Sequence, residues 1–383
     1  MKIAMISWEY PPQFTGGLGI HCLNLVEELV RRDVEVDFYL PAGKHIRFQV
    51  PLGMGLKRVE IDRPLQAYVE GDNVIWDSVK QFQAELDRTF EPGGIEVIHA
   101  HDWMGMVAAQ GISERYGIPL IWTVHSTEFD RAADTTPHPG ILAIEREGVH
   151  AASLTIAVSA RTKERLVTDY DADPARVAVI YNGIRAASFQ SLAEGRDYES
   201  SDGYVLFLGR VTRQKGPDDF LQAAKLVLAK KEARFMIAGD GEMLALLRRR
   251  ARRWNIGKHV KFMGTVKGEQ LLACYKNAQI FVLPAVSEPF GITVLEAMAA
   301  GVPAIISSTT GAGEIVRRVL RVEPRNPEQL ADAILKLLGD AELRKSLALD
   351  AAKEAEQFTW GAAAAQTREL YEKLSFSGKG SSL

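Results

Sequence analysis

The sequence predicts an α/β fold of two doubly wound domains, each a parallel sheet with helices on both faces. Three observations carry this. Short apolar runs rich in β-branched residues recur along the chain, amphipathic helical stretches lie between them, and the alternation restarts after a polar stretch near the middle. Strands buried on both faces read as nearly continuous apolar runs, whereas a helix between them keeps one apolar stripe.

In the first half the predicted strands are Ile3–Ser7, Val34–Leu40, Val97–Ala100, Leu120–Thr123, Leu154–Val158 and Val177–Tyr181. Gly19–Arg32 reads as a helix because Ile20, Leu23, Val26, Leu29 and Val30 fall on one stripe. Met104–Tyr116 and Ala160–Tyr170 read the same way. The opening MKIAMISWEYPP has too short an apolar stretch for a signal peptide and reads as the first strand, so a cytoplasmic protein is expected. Residues 1–185 form this domain.

Arg185–Gly203 is polar, mixed in charge and aperiodic, so 186–203 is expected to be a linker. The second domain, 204–358, has predicted strands at Val205–Gly209, Arg234–Ala238, Val260–Met263, Ile280–Leu283, Ala304–Ser307 and Leu320–Val322. Helices are expected at Pro217–Lys230, Glu242–Trp254, Gly268–Lys276, Thr293–Ala300 and Glu328–Leu338. A last helical region, Ala341–Leu374, breaks at Phe358–Gly361, so 359–374 is expected to return to the first domain. The Ser/Gly-rich tail 375–383 is expected to be disordered. The cleft between two such domains is the expected ligand site.

Hydrophobic residues at 46% exclude a disordered chain. A net charge of −3 argues against dedicated nucleic-acid binding. The cysteines, Cys22 and Cys274, cannot build a disulfide framework or a cysteine zinc site, and both read as small core residues. No apolar run is long enough to span a bilayer. Arg248, Arg249, Arg250, Arg252 and Arg253 cluster on one helix; a solvated face is the plain reading, and an anionic membrane surface or polyanionic acceptor the sharper one.

Three motifs carry chemistry. Gly16-Gly17-Leu18-Gly19 sits between the first strand and its helix, where glycine lets backbone approach a ligand and the helix N-terminus attracts phosphate. It is not the dinucleotide fingerprint, because G-x-G-x-x-G is absent. Gly209-Arg210-Val211-Thr212-Arg213-Gln214-Lys215-Gly216 follows a strand of the second domain. There Arg210 offers a fork for two phosphate oxygens and Lys215 a mobile point charge. The third and strongest runs from Ser287 to Glu296. Pro289 and Gly291 keep Glu288 in a loop, and Thr293 onward starts a helix that carries Glu296 about one turn in. Backbone N–H groups at that helix start suit a diphosphate, and the carboxylates suit sugar or ribose hydroxyls.

These motifs, in this order on two Rossmann-like domains, resemble the retaining GT-B glycosyltransferases, specifically family 4, with similarity to glycogen and starch synthases. Further matches are Gly239-Asp240-Gly241, Asn182-Gly183, His99–Trp103 and Thr123-Val124-His125. The resemblance implies a nucleotide-diphosphate sugar held mainly by the second domain. It implies catalytic roles for Glu288, His125, Arg210 and Lys215, with Arg210 and Lys215 on the diphosphate and His125 near the C6 hydroxyl of the sugar. Donor contacts would come from Gly16, Gly17, Gly209, Gly239, Asp240, Phe290, Gly291, Ile292, Thr293 and Glu296, with Glu296 on the ribose. His101, Asp102 and Trp103 would lie on the acceptor side. The glycine pair follows Phe14-Thr15, where glycogen and starch synthases carry a lysine, and this departure bears on the glucan-synthase assignment.

His99, His101 and His125 could be taken for a metal cluster, but their companion is Asp102 alone, and the resemblance implies a metal-independent enzyme with no cofactor. Asp171-Ala172-Asp173 resembles a metal motif of another glycosyltransferase fold, yet precedes Pro174, where Asp is a common cap. The expected activity is retaining transfer of a hexosyl unit, glucose from a UDP- or ADP-linked donor, to a hydroxyl acceptor. Alternatives are a sugar-nucleotide epimerase of the same fold, mannosyl or N-acetylglucosaminyl transfer, and a binding protein without turnover. An oxidoreductase would share the Rossmann-like domains, but the glycine fingerprint and its downstream ribose-binding acid are missing from either half.

Overall fold

The computed structural model describes residues 1–14, 16–42, 46–48, 50–62, 72–200 and 202–379. The chain divides into two compact units. Unit 1 comprises Met1–Glu128, Pro137–Asn182 and Trp360–Leu383, and unit 2 comprises Phe129–Thr136 and Gly183–Thr359.

Unit 1 is built on strands β1 (Lys2–Ile6), β2 (Glu35–Pro41), β3 (Met54–Val59), β4 (Val97–His101), β5 (Leu120–Val124), β6 (Leu154–Ala157) and β7 (Val177–Val179). They form one sheet in the order β3-β2-β1-β4-β5-β6-β7, with every pairing parallel. The strand order reverses between β1 and β4, which makes the crevice at their carboxyl ends the topological switch point. The predicted strands all form. β3 was not expected, because its MGLKRV sequence has exposed Lys57 and Arg58 and no continuous apolar run. Helix Asp72–Thr89 was also not expected.

Unit 2 carries β8 (Tyr204–Leu208), β9 (Phe235–Ala238), β10 (Val260–Gly264), β11 (Ala278–Leu283), β12 (Ala304–Ser307) and β13 (Leu320–Val322). Their order is β10-β9-β8-β11-β12-β13, again all parallel, with the switch point between β8 and β11. Both units are thus Rossmann-like. Helices Pro217–Leu228 and Pro327–Gly339 cover one face through Phe220, Val227, Ile334 and Leu337, which join Phe207, Phe235 and Ile280 in one core. Phe220 packs edge-on to Phe235 at 5.8 Å. Each such side chain contributes about 1.5–3 kcal/mol on burial.

Two sequence expectations are corrected. The segment 186–203 is no free linker. It contains helix Ala187–Ala193, whose Phe189 is buried against Tyr275 at 5.8 Å. Its Arg196 guanidinium donates to the carbonyls of Ala278 (2.6 Å), Tyr275 (2.8 Å) and Ala300 (3.1 Å). A cation that satisfies three backbone acceptors ties the segment into unit 2, and its polar composition concealed this. The tail expected to be disordered from 375 continues helix Trp360–Lys379. Ser375 Oγ donates to Glu96 Oε2 at 2.6 Å, while 380–383 lie outside the described residues. That helix belongs to unit 1, and the chain leaves unit 2 beside its own entry, where Ile184 N–H donates to the Phe358 carbonyl (2.8 Å).

Candidate functional site

In unit 2 the switch point brings the two strongest motifs together, because β8 and β11 are sheet neighbours although their sequence is far apart. The loop after β8 turns through the short helix Arg213–Lys215 and Gly216. Gly216 adopts φ 65°, and a Cβ there would lie 2.1 Å from the Pro284 carbonyl oxygen, so glycine lets this loop press onto the β11 loop. The buried Gln214 cements the contact: its carbonyl accepts from Val286 N–H (2.9 Å). Lys215 Nζ forms an ion pair with Glu288 Oε2, and both side chains are largely buried. Two residues expected to serve the donor are therefore paired with each other. Arg210 is half-buried, and its guanidinium reaches Gln214 Oε1 at 3.5 Å.

Gly209 and the Gly239-Asp240-Gly241 turn form one backbone layer. Val211 N–H donates to the Asp240 carbonyl (2.8 Å) and Gly209 N–H to the Ala238 carbonyl (3.1 Å). At φ 139° a Cβ on Gly239 would sit 1.8 Å from the Gly209 carbonyl oxygen, so this glycine serves close backbone packing.

Glu288 is held by its backbone: its N–H donates to the Thr309 carbonyl (3.3 Å) and its carbonyl accepts from Gly311 N–H (2.8 Å). Phe290 is buried, and its carbonyl accepts from Ala312 N–H (2.7 Å). Gly291, in the left-handed region at φ 98°, caps helix Ile292–Ala299, so the helix starts one residue before the expected Thr293. The first N–H groups of a helix have no partner within it, which leaves Ile292 and Thr293 suited to an anion. Glu296 lies one turn in. Desolvation raises its carboxyl pKa above the usual range, while the Tyr275 hydroxyl, donating at 2.7 Å, pulls it back down. Ser287 Oγ donates to Asp130 Oδ1 at 2.6 Å, and Asp130 is buried. Neither Tyr275 nor Asp130 carried a sequence signal, because each belongs to the site only through tertiary contact.

In unit 1, Gly16 caps helix Gly17–Val30, and Gly17 is exposed at its first position. Thr15 lies outside the described residues. A Cβ on Gly19 would meet Phe14 Cβ at 2.4 Å, so its requirement is local packing. β4 delivers His99 and His101, and His125 follows β5. His99 is committed to structure, with Nδ1 2.6 Å from the Tyr371 hydroxyl and Nε2 2.7 Å from Thr123 Oγ1. His101 Nδ1 lies 3.0 Å from His125 Nε2. Asp102 holds φ 51°, uncommon outside glycine, and its Oδ1 accepts from the His125 backbone N–H at 2.8 Å. Trp103 is 1% exposed, with its ring 5.2 Å from that of Trp76, so its indole packs inside the unit. His21, not singled out from sequence, joins this group: its ring is 4.4 Å from that of His125, and its Nδ1 is 2.6 Å from Asn182 Oδ1. Burial lowers the pKa values of His21, His99 and His101 well below normal, and that of His125 to about 3.

Asp171 closes helix Ala160–Tyr170 at φ 59°, and Asp173 Oδ1 caps the next turn through Ala175 N–H (2.9 Å). Both have the structural role expected of them. Cys22 and Cys274 are buried and free. On the arginine helix, Arg250 pairs with Asp218, Arg248 lies over the Phe262 ring at 5.7 Å, and Arg249, Arg252 and Arg253 are exposed.

The family profile described as Glycosyltransferase Family 4 matches residues 15–188, and that described as Glycosyl transferases group 1 matches residues 193–354. A glycosyltransferase of Methanocaldococcus jannaschii is 33% identical across 97% of this chain and 98% of its own length. The chain belongs to glycosyltransferase family 4. The Mycobacterium tuberculosis glycogen synthase is 29% identical over 97% of this chain and 94% of its own. A D-inositol 3-phosphate glycosyltransferase of Streptomyces scabiei is 29% identical over 97% and 90%. Among solved structures, sucrose-phosphate synthase from Thermosynechococcus elongatus superposes with a TM-score of 0.84 at 22% identity, covering 98% of this chain and all of that one. Anabaena HepE in complex with UDP-glucose gives 0.75 at 18% identity, covering 97% of this chain and all of that one. This family 4 glycosyltransferase has the GT-B fold of two Rossmann-like domains, and it is a hexosyltransferase. Among its described residues no helix is long and apolar enough to cross a membrane.

Proposed function

We propose that this glycosyltransferase moves a glucosyl unit, with retention of configuration, from UDP- or ADP-glucose to a hydroxyl acceptor. The observation that carries the donor assignment is the β8–β11 switch point. There Arg210, Lys215, Glu288, the N-terminus of helix Ile292–Ala299 and Glu296 are brought into two adjoining loops and one helix. Cations and helix N–H groups in one crevice suit a diphosphate, and the carboxylates suit hydroxyls. That HepE is solved with UDP-glucose supports a nucleotide-sugar donor.

In this reading the diphosphate takes Lys215 and Arg210, Glu296 takes the ribose hydroxyls, and Glu288 contacts the sugar. The C1–oxygen bond to the diphosphate breaks as the acceptor oxygen bonds to C1 on the same face. The departing diphosphate accepts the acceptor's proton. Arg210, Lys215 and the helix N-terminus stabilise the charge that develops on leaving. Unit 1 serves the acceptor through His101, Asp102 and His125, no metal takes part, and the enzyme works in the cytoplasm. The exposed arginines on helix Leu244–Arg253 suit a peripheral contact with an anionic surface. A screen of sugar nucleotides by thermal shift and nucleotide release tests the reading. UDP- or ADP-glucose should stabilise the protein and release nucleotide only with acceptor; GDP-mannose or UDP-N-acetylglucosamine as the sole substrate would replace the donor. Formation of a new sugar nucleotide from donor alone would make the protein an epimerase.

A further inference from the structure

Unit 1 gathers four imidazoles at the carboxyl ends of its central strands. His99 has both ring nitrogens hydrogen-bonded, to Tyr371 and Thr123. The other three differ. One ligating atom each from His21, His101 and His125 lie within 4.8 Å of one another. The Asn182 amide oxygen, 2.6 Å from His21 Nδ1, can only accept, so Nδ1 carries the hydrogen and Nε2 is left with a bare lone pair. That Nε2 is buried and has no hydrogen-bond partner among the described residues. His21 and His101 are 6% and 0% exposed. A buried acceptor without a donor is uncommon in a folded protein and points to a ligand at that lone pair.

We propose that His21, His101 and His125 together form a binding site for one divalent transition-metal ion of borderline softness, of which Zn²⁺ is the best match. The donor set is all imidazole, which suits zinc and excludes calcium and magnesium, whose ligands are oxygens. The 3.0 Å between His101 Nδ1 and His125 Nε2 is near the ~3.3 Å that separates two nitrogens on a tetrahedral zinc with bonds of about 2.0–2.1 Å. The hydrogen now shared by that pair moves to the outer nitrogen of its own ring, so all three ligands stay neutral. Burial disfavours their protonated forms, which keeps the ligating state populated. Outer contacts are in place: Asn182 sets the His21 tautomer, and the Asp102 carboxylate holds the His125 backbone. Three protein ligands leave a fourth position open. Because His125 also belongs to the proposed transfer chemistry, the ion competes with substrate there and acts as an inhibitor. Binding of the ion itself does not depend on that reading.

The test is calorimetric titration of Zn²⁺ alone into chelator-treated, dialysed protein, paired with the visible spectrum of the Co²⁺-loaded chain. The expected result is one ion per chain and a nitrogen-ligand d–d spectrum. His21→Ala and His101→Ala should each lower Zn²⁺ affinity by at least tenfold, and Asn182→Ala by about tenfold through the lost tautomer lock. His150→Ala, at an exposed histidine on helix Pro139–Ala151, should leave affinity unchanged. Circular dichroism checks that each variant folds; where His21→Ala does not, His21→Gln and the Co²⁺ spectrum of the native chain decide. Zinc bound equally by the native chain and the His21 variant, or a Co²⁺ spectrum of the hexaaqua ion only, overturns the proposal.

Discussion

The Tyr275 hydroxyl donates a 2.7 Å hydrogen bond to Glu296 Oε2 from a helix 21 residues earlier in the chain. Tyr275 is itself fixed, since Phe189 packs on its ring and Arg196 donates to its carbonyl at 2.8 Å. The bond orients the carboxylate proposed to hold the ribose and opposes the desolvation that raises its pKa. Tyr275→Phe should weaken binding of free UDP or ADP about fivefold, the scale of one hydrogen bond of about 1 kcal/mol. Glu296 protonates more readily in the variant, so nucleotide affinity should begin to fall at a higher pH as the solution is acidified. Calorimetry at pH 7.5 and 5.5 checks this; equal affinities in native and variant proteins at both values would remove Tyr275 from the site.

Arg210→Ala and Lys215→Ala should each lower kcat/KM by about 30-fold or more, corresponding to roughly 2 kcal/mol for a charge-assisted contact. Lys215→Ala should in addition lower stability. Lys215→Ala leaves Glu288 buried without its cation, a change that costs about 3–5 kcal/mol when an ion pair is fully enclosed. Steady-state kinetics and urea melts separate the two effects, and near-normal turnover in both variants would refute the phosphate assignment.

Glu288 and Glu296 should separate in binding and turnover. Glu296→Ala should weaken both donor KM and the affinity for free nucleoside diphosphate. Glu288→Ala should lower kcat more than affinity for that free nucleotide, which has no sugar to contact. The reverse pattern in calorimetry would exchange the two roles.

Transfer activity should survive exhaustive chelation, because fixed cations take the place of a divalent ion at the diphosphate. Loss of activity with EDTA, restored by Mn²⁺ or Mg²⁺, would contradict the proposed mechanism.

The buried histidines should make the fold acid-sensitive. His21, His99, His101 and His125 have folded pKa values below their unfolded ones, so the unfolded chain binds more protons in acid. Their contribution to stability is complete above the unfolded value near 6.5 and is lost as pH falls toward the folded values. At pH 5.5 the cluster as a whole should cost on the order of a few kcal/mol of stability. Urea melts between pH 7.5 and 5.5 measure this, and a pH-independent midpoint would mean the imidazoles are solvated.

What the sequence by itself determined is whatever depends on residues close along the chain. Parallel strands such as Ile280–Leu283 announce themselves because both faces are buried and the apolar run is unbroken. Glycines and prolines in the loops after β8 and β11 mark where backbone must turn sharply, and those loops carry Arg210, Lys215, Glu288 and Glu296. Edge strand β3 escaped notice because an edge needs no continuous apolar run, and 186–203 escaped because Arg196 joins the second unit through polar bonds to carbonyls. Only the tertiary structure decided which groups meet. It paired Lys215 with Glu288 across 73 residues, set Tyr275 on Glu296, and brought His21 and Asn182 together across 161. The reason is physical: loop and strand preferences are local, whereas a buried hydrogen bond between distant residues follows from strand order, which places β8 beside β11 and β1 beside β4.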